Sequence, residues 1–146
     1  RLRTVTGVQT CALPIFHLLG AALLGVIAWV HFKDIPDKLK ETDYLGWAYI
    51  LLVAGCAAAG AWLLSSHPRR GYVLGSVISL GAIIGYVLTR TTGLPHATDD
   101  IGNWAELSGM VALVTEGAFL ILSAVALRPA RTPETVQTNT PFPNDH

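Results

Sequence analysis

The chain has 146 residues, of which 51% are hydrophobic and 14% are charged, with ten basic residues balanced by ten acidic ones. Soluble domains carry about 25% charged residues, so this composition excludes an ordinary soluble enzyme, and the zero net charge gives no sign of a nucleic-acid partner. The hydrophobic residues gather in four runs of about 20 residues, the length that crosses a bilayer core, at positions 16–32, 44–64, 72–89 and 104–127.

The segment before the first run is predicted to contribute nothing to the fold. Residues 5–15 resemble the translation of a common short-read sequencing adapter, and Phe16 fits because the adapter ends in a T and both phenylalanine codons begin with T. The alternative is a cleaved leader with a basic start at Arg1 and Arg3, but residues 4–10 are polar where a leader needs an apolar core. We therefore interpret residues 1–15 as an artefactual leader.

The four runs predict an all-α, four-helix transmembrane bundle over residues 16–127. Helix is the expected state because an isolated strand in lipid would leave its backbone N–H and C=O groups unpaired. The connector at 33–43 is charged, and Pro36 is expected to break any helix that continues through it. After residue 127 the chain becomes polar and rich in proline, so residues 128–146 are predicted to form a disordered tail.

The connectors leave the orientation in the membrane undecided. With the N-terminus inside, four Lys and Arg residues lie on each side, and such a tie does not satisfy the positive-inside rule in either direction. We predict a multi-pass protein of a bacterial inner (plasma) membrane with both termini inside. Its partners would be the lipid bilayer and either a second copy of the chain or another membrane protein.

Small residues recur every four positions and predict where the helices approach one another closely. Two such stripes lie in the third run or directly before it, and the second and fourth runs carry one each: Gly71, Gly75 and Ser79; Gly81 and Gly85; Gly55 and Ala59; Ala105, Gly109 and Ala112.

Glu116 is the strongest candidate for a functional residue. It lies near the middle of the fourth run, where an acid costs about 2.5–3.5 kcal/mol on insertion scales, so it should face the interior of the bundle. One interpretation is a carboxylate that couples to protons or cations. The other is a neutral acid that hydrogen-bonds to Ser76, Ser79 or Tyr86, since the sequence places no acidic or basic partner at its depth.

Glu106 and Arg90 flank the longest connector and carry two interpretations that are compatible. The spacing from Asn103 to Glu106 is that of a capping box, with Asn103 at the N-cap of the fourth helix. Opposite charges at the two ends of one connector also predict an ion pair between Arg90 and Glu106. A structural role is the main expectation for Glu106.

Two groups of histidines and acids are weaker candidates for a metal or a haem. His96, Asp99 and Asp100 share the third connector, but their spacing matches no closed zinc pattern, and a solvated loop is the main interpretation. His17 and His31 are spaced for two stacked haems, yet the matching histidines would be His67 and His96 (both outside the runs). The sequence therefore predicts no cofactor.

The stretch from Tyr86 to Pro95, with Trp104-Ala105-Glu106 and Glu116-Gly117, resembles small multi-span membrane proteins of actinobacterial type. The resemblance covers about the last third of the chain and implies the same fold, with no established activity. It groups Arg90, Glu106 and Glu116 into one local unit.

The predicted function is that of a small, non-enzymatic membrane protein with a structural or accessory role. The chain contains none of the motifs for a nucleophilic triad, a phosphate loop or a zinc protease. The second interpretation is a proton- or cation-coupled transporter or channel that works as an oligomer through Glu116. The third is a haem- or metal-binding membrane protein.

Overall fold

A computed structural model describes residues 9–128, and the side chains from Pro14 onwards. The described residues form four α-helices and no strand, which confirms the predicted all-α four-helix bundle: α1 (Gln9–Glu41), α2 (Asp43–Leu63), α3 (Pro68–Thr91) and α4 (Leu107–Ala126). Each helix is long and apolar enough to cross a membrane, with the candidate span of α1 starting at Pro14. The predicted tail beyond Arg128 and residues 1–8 of the predicted leader lie outside the described residues.

The first helix is longer than predicted at both ends. It begins at Gln9 instead of residue 16, and it continues through Pro36 to Glu41, so the expected break at Pro36 is wrong. A proline removes one hydrogen bond from the helix, but the turns that follow are held by ion pairs from Lys38 to Glu41 and from Lys40 to Asp37. Residues 33–41 of the predicted connector are therefore the last part of α1, and they add about two and a half turns of polar helix to the bundle.

The fourth helix begins later than predicted, and the capping box is absent. Its first residue is Leu107, and Glu106 occupies the N-cap position without a side-chain hydrogen bond to the helix amides. The carboxylate of Glu106 instead accepts hydrogen bonds from Arg90 and from the Ser108 hydroxyl. The capping prediction failed because a cationic donor is a stronger partner for a carboxylate than a backbone amide.

The helices pack in a ring in chain order. α1 packs against α2 and α4, and α3 packs against the same two helices, so α1 and α3 lie diagonally opposite. Only Thr42 joins α1 to α2, and its extended backbone reverses the chain in a single step. We call the end of the bundle where α1 and α3 finish and α2 and α4 begin the polar end.

The half of the bundle away from the polar end is closed by an apolar plug. The plug consists of buried side chains from all four helices: Leu24, Ile27, Cys56, Ala59, Leu63, Tyr72, Phe119 and Leu122. Gly71 and Gly75 allow this closure, since a Cβ at Gly71 would lie 2.6 Å from the Ala59 carbonyl oxygen and one at Gly75 would lie 2.5 Å from the Phe119 ring. The predicted close contact along the first small-residue stripe is confirmed.

The second stripe on α3 behaves differently. A Cβ built on Gly81 or on Gly85 would meet no described atom within 4 Å, so the prediction of helix contact at these glycines is wrong. Both glycines line a cavity in the half of the bundle next to the polar end. Small residues in a membrane helix permit close packing, but they leave a void where the neighbouring helix does not approach.

Candidate functional site

A cavity of about 670 Å³ lies between the four helices in the half next to the polar end. It reaches the surface beside Asp37, whose side chain is 81% exposed, and it ends at the plug beside Glu116. Its size falls within the range of roughly 300–1,000 Å³ that is typical of small-molecule sites. The wall combines aliphatic side chains with five carboxyl groups and three tyrosines.

Helix α1 supplies a row of charged and polar side chains along this wall. His31, Asp34 and Lys38 are spaced by three and four residues, which places them on one face of the helix. With a rise of 1.5 Å per residue, the row extends about 10 Å along the cavity. The long α1 therefore carries polar groups along the cavity. For the same part of the chain the sequence predicts an apolar span that ends at residue 32 and a separate connector after it.

Glu116 forms the deep end of the cavity together with His31. Glu116 is 1% exposed, and its Oε1 lies 3.7 Å from Nε2 of His31. That oxygen makes no hydrogen bond within the described part of the chain. The predicted inward orientation of Glu116 is confirmed, but the expectation that no basic group lies at its depth is wrong.

The hydrogen-bond partners predicted for Glu116 are not used. The Tyr86 hydroxyl donates to the backbone carbonyl of Trp104, and Ser79 is buried without a hydrogen-bond partner among residues 9–128. His31 was missed because the predicted first span ended at residue 32, which placed the ring at the membrane surface. In the structure His31 precedes the end of α1 by ten residues and Glu116 follows the start of α4 by nine, so both lie about 15 Å from the polar end.

The backbone fixes the tautomer of His31. Its Nδ1 lies 2.9 Å from the Ile27 carbonyl oxygen, which can only accept a hydrogen bond, so Nδ1 carries a proton. Nε2 then faces Glu116 at 3.7 Å, beyond hydrogen-bonding distance, and it is unprotonated in the neutral ring and protonated in the imidazolium. The pair can hold one shared proton in two ways: on the carboxyl group with a neutral ring, or on the ring with a carboxylate.

Four charged side chains form a network at the polar end that we call the polar latch: Lys38, Arg90, Asp100 and Glu106. Arg90 is 5% exposed and contacts both carboxylates, with Nη1 2.8 Å from Asp100 and Nη2 on Glu106. The predicted ion pair between Arg90 and Glu106 is therefore confirmed. Lys38 reaches Asp100 at 3.0 Å. The latch therefore ties the end of α1, the end of α3, the 92–106 connector and the start of α4 to one another.

Asp100 is the centre of the polar latch, because it is shared by both cations. Partial burial opposes its ionisation, but the hydrogen bonds and charges of Lys38 and Arg90 outweigh that effect and hold the pKa of Asp100 below its usual value. The carboxylate is thus charged over the whole neutral range. Tyr86 supports the same network, since the Arg90 guanidinium lies 4.9 Å from the centre of its ring.

The histidine and acid candidates for a metal or haem have other partners. His96 is an exposed turn residue with a φ of 60°, and Asp100 belongs to the polar latch. Within residues 9–128, no group of three or more His, Cys, Asp or Glu side chains could hold a metal ion. His17 packs beside the Tyr72 ring at 5.8 Å between centroids, and His31 faces Glu116.

We expect Arg90→Lys to loosen the 92–106 connector, because a single ammonium on a shorter side chain replaces the two guanidinium nitrogens that contact Asp100 and Glu106 separately. The loss of one partly exposed ionic hydrogen bond is about 1 kcal/mol, which corresponds to roughly fivefold faster local amide exchange. Hydrogen exchange of the purified protein in detergent measures it. Arg69→Lys at an exposed position is the matched control, and unchanged exchange in Arg90→Lys would show that the latch does not hold the connector.

Comparison of the chain with protein-family models, with curated proteins and with solved structures finds no match.

Proposed function

We propose that the protein is a small proton-coupled membrane transporter in which Glu116 and His31 form the coupling site. The observation that carries this proposal is the buried Glu116 carboxyl, which lies at the floor of the cavity with one oxygen unpaired and with His31 as its basic neighbour. Ionisable groups inside a membrane are costly, and a chain that needed only structural contacts could place an apolar side chain there.

The chemistry of the pair supports proton coupling. With one proton shared between Glu116 and His31, the site is neutral overall in either arrangement. Loss of that proton leaves a carboxylate beside a neutral ring, and a buried unpaired charge is strongly unfavourable. Release of the proton is therefore favoured only when another cation takes its place, which is the requirement for an exchange of proton and cation at one site.

The surroundings of the pair contain few groups that could replace the proton. From α1 the neighbour of His31 is Asp34, from α2 the Tyr49 ring lies 5.1 Å from the His31 ring, and Cys56 is buried in the plug nearby. Helix α3 has no titratable residue between Tyr72 and Tyr86. A cation that enters the cavity is thus the natural counter-charge for Glu116.

The cavity gives this site a route to the polar end. The cavity connects Glu116 with the polar end, whereas Phe119, one helical turn further along α4, is fully buried in the plug. Transport requires a second state in which the plug opens and the polar end closes. The polar latch joins three helices and the 92–106 connector at the polar end, so its ion pairs are placed where such closure would act.

Proton flux in liposomes tests the proposal. With an imposed pH gradient and a pH-sensitive dye inside the vesicles, the wild type is expected to carry protons when a quaternary ammonium ion, which crosses the bilayer poorly by itself, is supplied as the exchange partner. Glu116→Gln should fold normally and reduce the flux to that of protein-free vesicles, because the amide keeps the polar group but binds no proton. Asp43→Asn is the matched control for loss of a carboxylate at the polar end.

Equal flux in the wild type and in Glu116→Gln would overturn the coupling role and would favour the accessory role that the sequence suggested first. Circular dichroism and size-exclusion chromatography of both variants show whether the fold and the oligomeric state are retained. A variant that is misassembled is replaced by Glu116→Asn, which also removes the titrating group and is smaller.

A further inference from the structure

We propose that the ligand of this cavity is an amphipathic organic cation, a substituted amine or quaternary ammonium with an apolar or aromatic body. This inference rests on the proposed function for its coupling to protons, but the binding site itself is argued from the cavity wall. Three features of the wall lead to this ligand class: an excess of carboxylates, aromatic faces, and the lack of a compact set of ligands for a metal ion.

Two carboxyl groups of the wall, those of Asp34 and Glu116, form no ion pair with a lysine or an arginine of the described residues. Lys38 and Arg90 are bound to Asp100 and Glu106 in the polar latch, and Asp37 pairs with Lys40 at 3.0 Å. Asp34 has no ion-pair partner within 4 Å among the described residues, and Glu116 has only His31. The cavity therefore carries an excess of negative charge, which selects a cation.

The aromatic residues suit a cation whose charge is spread over a bulky head. Tyr44, Tyr49 and Tyr86 line the cavity, and the face of a tyrosine ring attracts ammonium and guanidinium groups. The structure already shows one such contact, with the Arg90 guanidinium over Tyr86. Tyr49 lies next to His31, so its ring is close to the pair at the floor of the cavity.

A bare metal ion fits this wall less well than an organic cation does. Hard metal ions need about six or more oxygen ligands that converge on one point, and the part of the chain that the structure describes offers no cluster of three acidic or histidine side chains. Aliphatic residues such as Val30, Leu52 and Ile78 cover much of the wall instead. They provide burial for the apolar body of the ligand, while Asp34 and Glu116 provide the charge.

Binding of benzyltrimethylammonium to the full chain in detergent micelles tests this inference, with benzenesulfonate as a probe of similar size and opposite charge. Isothermal titration calorimetry is expected to show saturable binding of the cation and none of the anion. Asp34→Asn and Glu116→Gln should each weaken the affinity about tenfold, the effect of losing one ionic contact of about 1.4 kcal/mol. Binding of both probes alike, or a cation affinity that neither variant changes, would overturn the inference.

A steric variant distinguishes the cavity from the detergent as the place of binding. Gly85→Leu points a side chain into the cavity at a position where a Cβ meets no described atom within 4 Å, so the bundle should fold while the ligand is excluded. Gly117→Leu is the matched control, because Gly117 has the same open surroundings but does not line the cavity. Equal affinity in both leucine variants would place the probe elsewhere and overturn the inference.

The two proposals fail in different ways. Specific binding of the cation with a proton flux that is independent of Glu116 would overturn the transporter and leave the ligand site intact. Glu116-dependent flux without binding of the cation would overturn the ligand class and leave the coupling pair intact. If both proposals are correct, the cation competes with the shared proton, so the wild-type affinity rises with pH whereas the affinity of Glu116→Gln does not.

Discussion

Gly71→Ala is expected to cause a large loss of stability, although it adds one methyl group to a helix. The new Cβ would lie 2.6 Å from the Ala59 carbonyl oxygen and 2.8 Å from the Leu63 backbone nitrogen. Both atoms belong to the backbone of α2, so they cannot rotate away and the two helices must separate. Overpacking of this kind costs about 1–3 kcal/mol, which exceeds the gain of up to roughly 1 kcal/mol from replacing glycine by alanine in a helix.

The measurement is thermal unfolding of the purified variants in detergent, followed by circular dichroism. Gly60→Ala is the matched control, because it makes the same change in α2 where the added Cβ would meet no described atom within 4 Å. We expect Gly60→Ala to unfold at the wild-type temperature or above it, and Gly71→Ala to unfold well below it. Equal stability of the two variants would mean that α2 and α3 are not in backbone contact at this point.

The two stripes of small residues on α3 show what the sequence could and could not predict. Each stripe has the four-residue spacing that predicts close approach of a neighbouring helix, which is confirmed at Gly71 and Gly75 but not at Gly81 and Gly85. Whether a neighbouring helix fills the space beside each glycine depends on how α2 and α4 are placed, which no local pattern encodes. The same pattern therefore builds the plug at Gly71 and Gly75 and leaves the cavity open at Gly81 and Gly85.

The four helices followed from the length and hydrophobicity of the runs, since a bilayer imposes both. Their ends were less predictable at the polar end, where proline and charge are poor indicators of where a helix stops. Pro36 lies inside α1, and Glu106 is drawn away from the expected cap by Arg90. The misplaced end of α1 also hid His31, because a span that ends at residue 32 places this ring at the membrane surface, away from the depth of Glu116.

Sequence spacing was sufficient to predict the ion pair between the two residues that flank the third connector. Arg90 and Glu106 lie at the two ends of the 92–106 connector, and opposite charges so placed meet without any knowledge of the wider fold. Asp100 was predicted only as a loop acid, because its second partner, Lys38, comes from α1 and is 62 residues away. Of the three ion pairs in the polar latch, sequence spacing predicted the one between Arg90 and Glu106, whereas the one between Lys38 and Asp100 depends on the packing of α1.

His31 and Glu116 are expected to be energetically coupled, because their side chains meet in the buried floor of the cavity. His31→Phe keeps a ring beside Tyr49 but removes both nitrogens, so a carboxyl that is 1% exposed is left without its basic neighbour. The change also removes the hydrogen bond from Nδ1 to the Ile27 carbonyl oxygen, and the two losses together are expected to cost about 1–3 kcal/mol. We expect His31→Phe to unfold at a lower temperature than the wild type at neutral pH.

Adding Glu116→Gln to His31→Phe is expected to restore part of that stability, because an amide needs no basic partner and carries no charge. The four proteins form a double-mutant cycle whose coupling free energy should be about 0.5–3 kcal/mol, the range found for residues in contact. His31→Phe with Glu106→Gln is the control cycle; Glu106 lies ten residues before Glu116, about 15 Å along the helix axis, so its effect should be additive. Additive effects in the first cycle as well would show that the 3.7 Å approach of Nε2 and Oε1 carries no interaction. In that case the two groups share no proton, and the floor of the cavity would hold an isolated acid in place of a coupling pair.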